Sequence, residues 1–467
     1  MRFILVSFFL SVAAAVQVSA SPEAIEEILA DEMQRARAPG VAYAVVENGV
    51  VETGARGERI SGSGEALTSE TPFLLGSISK SFTALAIMQL VETGQLDLDA
   101  SISSHLDVFS DSPGAGITIR QLLSHTSGYS TLQGNDSHSA DTLTRQVGRI
   151  AQWAPTYLPG SRWAYSNANY YVLGALIEAL SGQDCASYIE TSIMAPIGMD
   201  HSFVADGEHY EGIARGHTPW FGGKSPVLDG ATARGSAPAG GIIATAGDVG
   251  LYLVMMMNGQ DDIITAQSKA QMMRPASDVS PFYGFGWYID PSDNTVWHTG
   301  LTPGVETLAI MSPNEQAASV VLINSSSGMG FAENADLMNH VSAHALGLDF
   351  VPADQGGQWS RKGLFAGFVL MPFLFILGVV IAVLKRDGLR AKTGVSGLFS
   401  LWFPLVISIA LAWVCVHLMP QLFGVTMGTL QRFSPDLALV LLTSAVTAVF
   451  WAVCRLVIYY TGKRAAT

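Results

Sequence analysis

Cysteine and charge are what this chain has least of. Three cysteines in 467 residues, Cys185, Cys415 and Cys454, are too few to staple a disulfide scaffold. Charged residues make up 14%, against about 25% in an ordinary soluble protein. Basic residues are the scarcer sign, 25 against 39 acids, for a net charge of −14. That balance excludes a typical nucleic-acid binder, which needs a positive surface to displace counterions from phosphates. No internal repeat is visible. Apolar residues are abundant instead, at 49%. A disordered chain could not carry so many, and a mean hydropathy of +0.32 places part of the chain in lipid.

The charge is unevenly spread. From Arg361 to Thr467 there are ten Lys/Arg and two Asp/Glu, whereas Ser21–Ser360 holds 14 bases and 37 acids, a net of −23. An acidic body and a basic, apolar tail are two physical objects. The first 20 residues open with Arg2, continue as an apolar stretch and end in Val18-Ser19-Ala20. This pattern predicts a secretory signal peptide over 1–20, with an uncleaved anchor as the alternative. Three apolar runs, 364–384, 398–418 and 437–460, are each long enough to cross about 30 Å of hydrocarbon as a helix. Lys385, Arg386, Arg390 and Lys392 lie between the first two, and Lys463 and Arg464 follow the third. The positive-inside rule then puts the body outside and a tail over 461–467 in the cytoplasm; Arg361 and Lys362 count mildly against this. No span carries a charge near its centre, so an anchor or partner-binding bundle is favoured over a transport path. Residues 355–363, with Gln355-Gly-Gly-Gln358, read as a linker.

Within the body (21–354), Ser21-Pro22-Glu23 reads as a helix start and Pro39-Gly40 as its stop. VAYAVVENGVVETG reads as a hairpin about Asn48-Gly49, and ETLAIMSPNEQAASVVLIN as a second hairpin turning at Pro313-Asn314-Glu315. AENADLMNHVSAHALG reads as a closing helix. The stretch 71–261 reads as helices and loops. The expected class is α+β: an antiparallel sheet flanked by helices, closed by both ends of the body, plus a helical subdomain. An all-α membrane segment follows it.

Ser77-Ile78-Ser79-Lys80 is an S-x-x-K. On a helix its Ser and Lys share a face, and a desolvated neutral Lys is a base for an otherwise weak Ser nucleophile. Tyr165-Ser166-Asn167 precedes an apolar helix. A Tyr beside a cationic Lys ionises more easily and suits general-base work, while Asn167 suits a substrate amide or the Lys. His298-Thr299-Gly300 follows an expected strand, where Gly lets a substrate backbone approach. His125, in LLSHTSG, reads as structural, at a helix end.

In order along the chain, PGVAYAVV, LLGSISKSFTA, GQLDLDASI, ITIRQLLSHTSGY, WAYSNANYYVLGALIE, GGIIATAGDVGLYL, YGFGWYI and WHTGLTPG together resemble the serine β-lactamase and penicillin-binding-protein superfamily. The likeness is to its class C, D-peptidase and esterase branch (an S12-like peptidase). It runs from about Pro39 to Ser312. It implies an acyl-enzyme on Ser77, proton transfer by Lys80 and Tyr165, and substrate contacts from Asn167, His298, Thr299 and Gly300. The backbone N–H groups of Ser77 and Leu301 would form the oxyanion hole. No metal or cofactor is expected. His298 stands where penicillin-processing members carry Lys. With an ordinary pKa near 6.5 its charge would be partial at neutral pH, so affinity for carboxylate-bearing substrates is expected to fall as pH rises through its titration.

The expected protein is therefore a serine hydrolase for a small ester, D-amino-acid peptide or β-lactam-like substrate. It is held on the periplasmic or extracellular side of a bacterial inner membrane by three helices whose protein partner is unknown. The alternative is a catalytically degenerate binding or sensory module coupled to a membrane partner. Nucleic acid is not expected as a partner.

Overall fold

The computed structural model describes residues 22–135, 142–207, 210–227, 234–327, 333–352 and 355–464. The expected signal peptide, the cap Ser21 and the last three residues of the tail lie outside the described residues.

Helix α1 (Pro22–Ala36) carries Ile25, Leu29 and Met33 at four-residue intervals, and these are its buried face. It ends where Arg37 adopts a left-handed φ of 54°, just before Pro39. Strands β1 (Gly40–Glu47) and β2 (Val50–Gly57) follow as a hairpin. Asn48 and Gly49 both have positive φ, as a tight turn matching strand twist demands. At the far end of the body come β3 (Tyr288–Asp290), β4 (Thr295–Thr302), β5 (Val305–Ser312) and β6 (Ala317–Ile323). They close one six-stranded antiparallel sheet in the order β2-β1-β6-β5-β4-β3. The register of β1 on β6 runs from Val41 opposite Ile323 to Glu47 opposite Ala317. The expected closure of the sheet by both ends of the body is therefore observed.

Because side chains alternate across a strand, β1 feeds two cores. Val41, Tyr43 and Val45 join Ile25, Leu29, Leu337 and Val341 of α1 and the closing helix α4 on one face. Here α4 denotes Ala335–Leu346, the fourth helix of this account after α2 (Ser79–Glu92) and α3 (Asn167–Ser181). Ala42, Ala44 and Val46 face the larger core, which takes in Phe82 and Ile87 of α2 and Tyr170 and Leu173 of α3. The middle of the chain is less purely helical than its sequence reads. It holds a three-stranded sheet of residues 73–74, 242–244 and 203–204 and a hairpin of 217–220 with 223–226. Runs of two to four residues are too short to display a period of two.

Three long helices follow: α5 (Gln355–Leu384), α6 (Gly394–Trp413) and α7 (Pro435–Arg464), with shorter helical pieces between them. The stretch expected as a linker is thus helical from Gln355 onward. The segments Ser360–Leu384, Gly394–Leu422 and Pro435–Gly462 are long and apolar enough to cross a membrane. Arg390 lies beside Gly462, so the basic α5–α6 connection and the end of α7 share one end of the bundle. The connection between α6 and α7 lies at the other end, against the body.

Leu337 is fully buried between α4 and the sheet. Leu337→Ala should cost about 2–5 kcal/mol, read as a lowered midpoint of the body's unfolding transition in detergent; an unchanged midpoint would show that this face does not stabilise the sheet.

Candidate active site

The sequence around Ser77 folds as a tight turn, Gly76–Ile78, running directly into α2. Gly76 has φ +59°, and a Cβ there would lie 2.8 Å from Leu301 N. A Cβ on Gly300 would lie 1.8 Å from the Leu75 carbonyl oxygen. Two glycines thus let the Ser77 turn sit directly against β4, and the Thr307 hydroxyl ties it down by donating to Leu75 O at 2.7 Å. Strand β3 pairs with β4 only from Thr295 to Trp297, so Gly300 and Leu301 lie beyond its cover. The segment after residue 236 fastens the other side: the Ile242 N–H donates to Ser79 Oγ, and Thr83 Oγ1 donates to Pro238 O.

Lys80 is fully buried. Its Nζ makes a 2.9 Å hydrogen bond with Ser77 Oγ and donates to Ala239 O at 2.7 Å. The ring centroids of Tyr165 and Tyr170 lie 5.0 and 5.7 Å from Nζ. Burial holds its pKa well below the ordinary lysine value, because removing an ammonium from water costs more than two dipoles return. Tyr165 hydrogen-bonds Ser77, but burial among Tyr288, Tyr170 and Tyr171 holds its phenol well above its ordinary value. A cationic Lys80 was expected to ease Tyr165 ionisation, but burial disfavours both the Lys80 ammonium and the Tyr165 phenolate, and the phenol is raised. Ser77 itself is half-buried between buried neighbours, so a substrate can reach it.

Alternation along β4 leaves Thr299 and Leu301 exposed and turns His298 inward. His298 is 1% exposed. Its Nδ1 bonds the Thr299 carbonyl oxygen at 2.7 Å and its Nε2 bonds the Tyr283 hydroxyl at 3.2 Å. Burial and the nearby Lys80 push its pKa down to about 3. The expected partial charge at neutral pH is therefore absent: this histidine is a neutral member of an aromatic wall with Tyr283 and Tyr288.

Asn167 opens α3. Its Nδ2 donates to Asn135 Oδ1 at 3.0 Å, while its Oδ1 is buried without a partner among the described residues. Among the described bonds it does not reach Lys80. His125 proves structural, as its sequence context suggests, and its work is specific. With φ 58° at the end of the helix Ile119–Leu123, its Nδ1 accepts from the Ser166 N–H at 3.1 Å and from Asn169 Nδ2 at 2.9 Å. Its carbonyl accepts from the Ala164 N–H at 2.9 Å. It pins both neighbours of Tyr165. Sequence reasoning missed the Ala239 carbonyl and Asn135, which stand in none of the motifs quoted above, and it passed over Tyr283, which opens YGFGWYI but carried no assigned role.

The site thus brings together Ser77, Lys80, Tyr165 and Asn167 with the Thr299–Leu301 edge. That arrangement sets a hydroxyl beside a buried amine whose charged form burial disfavours.

The family described as Beta-lactamase matches residues 25–343. Protein flp of Staphylococcus aureus (strain MRSA252) is 26% identical over 321 residues; the match spans 65% of this chain and 63% of that protein. The octameric penicillin-binding protein homologue of Pyrococcus abyssi is 28% identical with a TM-score of 0.57, over 65% of this chain and 73% of its own. EstCE1, a hydrolase with promiscuous acyltransferase activity, shares the fold at 21% identity and a TM-score of 0.60, over 68% of this chain and 97% of its own.

Gly300→Ala should force the Ser77 turn off β4. The expected readout is a drop of about 1–3 kcal/mol in body stability and loss of Ser77 labelling by a fluorophosphonate; full labelling would show that the contact does not position the nucleophile.

Proposed function

The chain belongs to the β-lactamase family, and from that footing we propose that it is a membrane-anchored serine hydrolase cleaving an ester or amide through an acyl-enzyme on Ser77. The observation that carries this reading is the 2.9 Å contact between Ser77 Oγ and an amine that burial drives toward its neutral form. Neutral Lys80 accepts the Ser77 proton as Oγ attacks the substrate carbonyl carbon. Tyr165, protonated, donates toward the leaving oxygen or nitrogen and is recharged from the Lys80 ammonium. The backbone N–H groups of Ser77 and Leu301 receive the oxyanion, each donor contributing about 3–4 kcal/mol. The free Oδ1 of Asn167 accepts an N–H of a substrate amide. Water then attacks the ester carbonyl, giving its proton to Lys80, and Lys80 returns that proton to Ser77 Oγ as the bond from Oγ to the acyl carbon breaks.

An inward-facing neutral His298 argues against a lysine-like anchor for a substrate carboxylate. Small esters and amides are therefore favoured over penicillins and D-Ala-D-Ala-type ends. A signal peptide over 1–20 and the basic end of the bundle support a body outside the cytoplasmic membrane, with the chain end inside. The S. aureus relative is matched over less than two thirds of its length, so nothing of its activity is carried over.

Two measurements test this reading. Ser77→Ala should abolish turnover and the fluorophosphonate adduct while shifting Tm by no more than a degree or two; an adduct on the variant would place the nucleophile elsewhere. The pH profile separates the titrating groups. Catalysis needs Lys80 neutral, so kcat/KM should fall as pH drops through its depressed pKa and hold level above it. With His298 titrating near 3, the KM of a carboxylate-bearing substrate should stay flat from about pH 5.5 to 8. A KM that rises across that range would restore His298 as a charge partner.

A further inference from the structure

Among the described residues, hydrogen bonds join the membrane bundle to the body at two places, and one of them leads into the active site. Asn135 closes the short helix Thr131–Gly134. Its side-chain Oδ1 accepts from Asn167 Nδ2 at 3.0 Å, and its Nδ2 donates to the Gly424 carbonyl at 2.9 Å. Its own carbonyl accepts from Thr429 Oγ1 at 3.4 Å. Gly424 and Thr429 both belong to the connection between α6 and α7. The short helix is a thin spacer. A Cβ on Gly134 would lie 2.5 Å from both Asn167 N and Ser166 Oγ, and a Cβ on Gly424 would lie 3.2 Å from Thr131 Cγ2. The connection is itself well seated: Val425 and Leu430 are buried with Leu437 and Leu441 of α7. At the second contact the Phe221 N–H donates to Asp436 Oδ2 at 3.0 Å, and the Phe221 ring lies 6.3 Å from that of Phe365 in α5.

An amide side chain has two faces that differ only in which end donates. Gly424 O can only accept, so it dictates that Asn135 presents Nδ2 to the bundle and Oδ1 to Asn167. That in turn commits Asn167 to donate through Nδ2. Its unpartnered Oδ1 is then the group left for a substrate N–H. We propose that the α6–α7 connection is a working part of the active site: it sets the amide orientation of Asn167 through Asn135, a positioning residue, and so tunes the enzyme for amides over esters. This rests on the Ser77 hydrolase reading above. It also accounts for three helices where one would anchor, since only a returning third segment places a connection on the body's side of the membrane.

The test uses the full chain in detergent or nanodiscs, with an amide and an ester of the same acyl group and with fluorophosphonate labelling of Ser77. Asn135→Ala should lower kcat/KM for the amide about tenfold, the value of one hydrogen bond, leaving the ester and the labelling rate near parent values. Asn135→Asp keeps the acceptor for Asn167 and should recover part of the loss. Gly424→Ala, strained at φ +68° and crowded against Thr131, should reproduce the amide-selective loss from the membrane side. An unchanged amide-to-ester ratio in Asn135→Ala overturns the proposal. So does a Gly424→Ala protein that behaves as the parent, and so does an equal loss in amide, ester and labelling, which would mark a merely structural contact. A parent that takes no label at all fails the Ser77 reading itself, and the positioning role falls with it.

Discussion

The burial of one amine governs much of this molecule. Lys80 is enclosed with two polar partners, a hydroxyl and a carbonyl, and no carboxylate is among them. Removing a lysine from water without a counter-charge disfavours its ammonium, and this is the amine that touches Ser77. The surrounding architecture is what maintains that condition. Strand β4, the Ala237–Gly241 segment and the aromatic wall of Tyr165, Tyr170, Tyr283 and Tyr288 together exclude water. The same exclusion keeps Tyr165 protonated and His298 neutral. One desolvated pocket thus biases three groups toward their uncharged forms.

Close approach is the second constraint, and it is met by absent side chains. Gly76 and Gly300 let the Ser77 turn and β4 share a boundary that no Cβ could occupy. Gly286 does the same where the chain before β3 passes over the backbone of Lys80 and Ser81. Such contacts cannot be improved by enlarging either partner, because the neighbouring atoms are backbone and do not yield.

The body and the membrane helices are joined by more than chain continuity. Hydrogen bonds from Asn135 and Phe221 fasten the acidic body to the end of the bundle that carries the α6–α7 connection. The amide of Asn167 stands two hydrogen bonds away from a loop whose seat is the apolar packing of α7. A site coupled in this way responds to how the helices pack, a property a body on a single flexible stalk would lack.

Local patterns in the chain were sufficient for the hairpin about Asn48-Gly49, the amphipathic faces of α1 and α4, the three apolar spans and the S-x-x-K and Y-x-N clusters. Each of these depends on neighbours within a few residues, where periodicity and turn chemistry speak directly. The closure of the sheet by β1 and β6 was also legible, because strong strand patterns stood at both ends of the body. Charge states were not. Sequence suggested an easily ionised Tyr165 and a half-charged His298, but ionisation depends on the total surroundings of a group. Those surroundings come from segments over a hundred residues away, such as Ala239 beside Lys80. The helical run from Gln355 and the short strands of the middle region escaped for a related reason: a Gly-rich opening and two-residue strands carry no periodic signal. The pairing of Asn135 with Gly424 joins residues 289 apart, and only the folded chain could decide it.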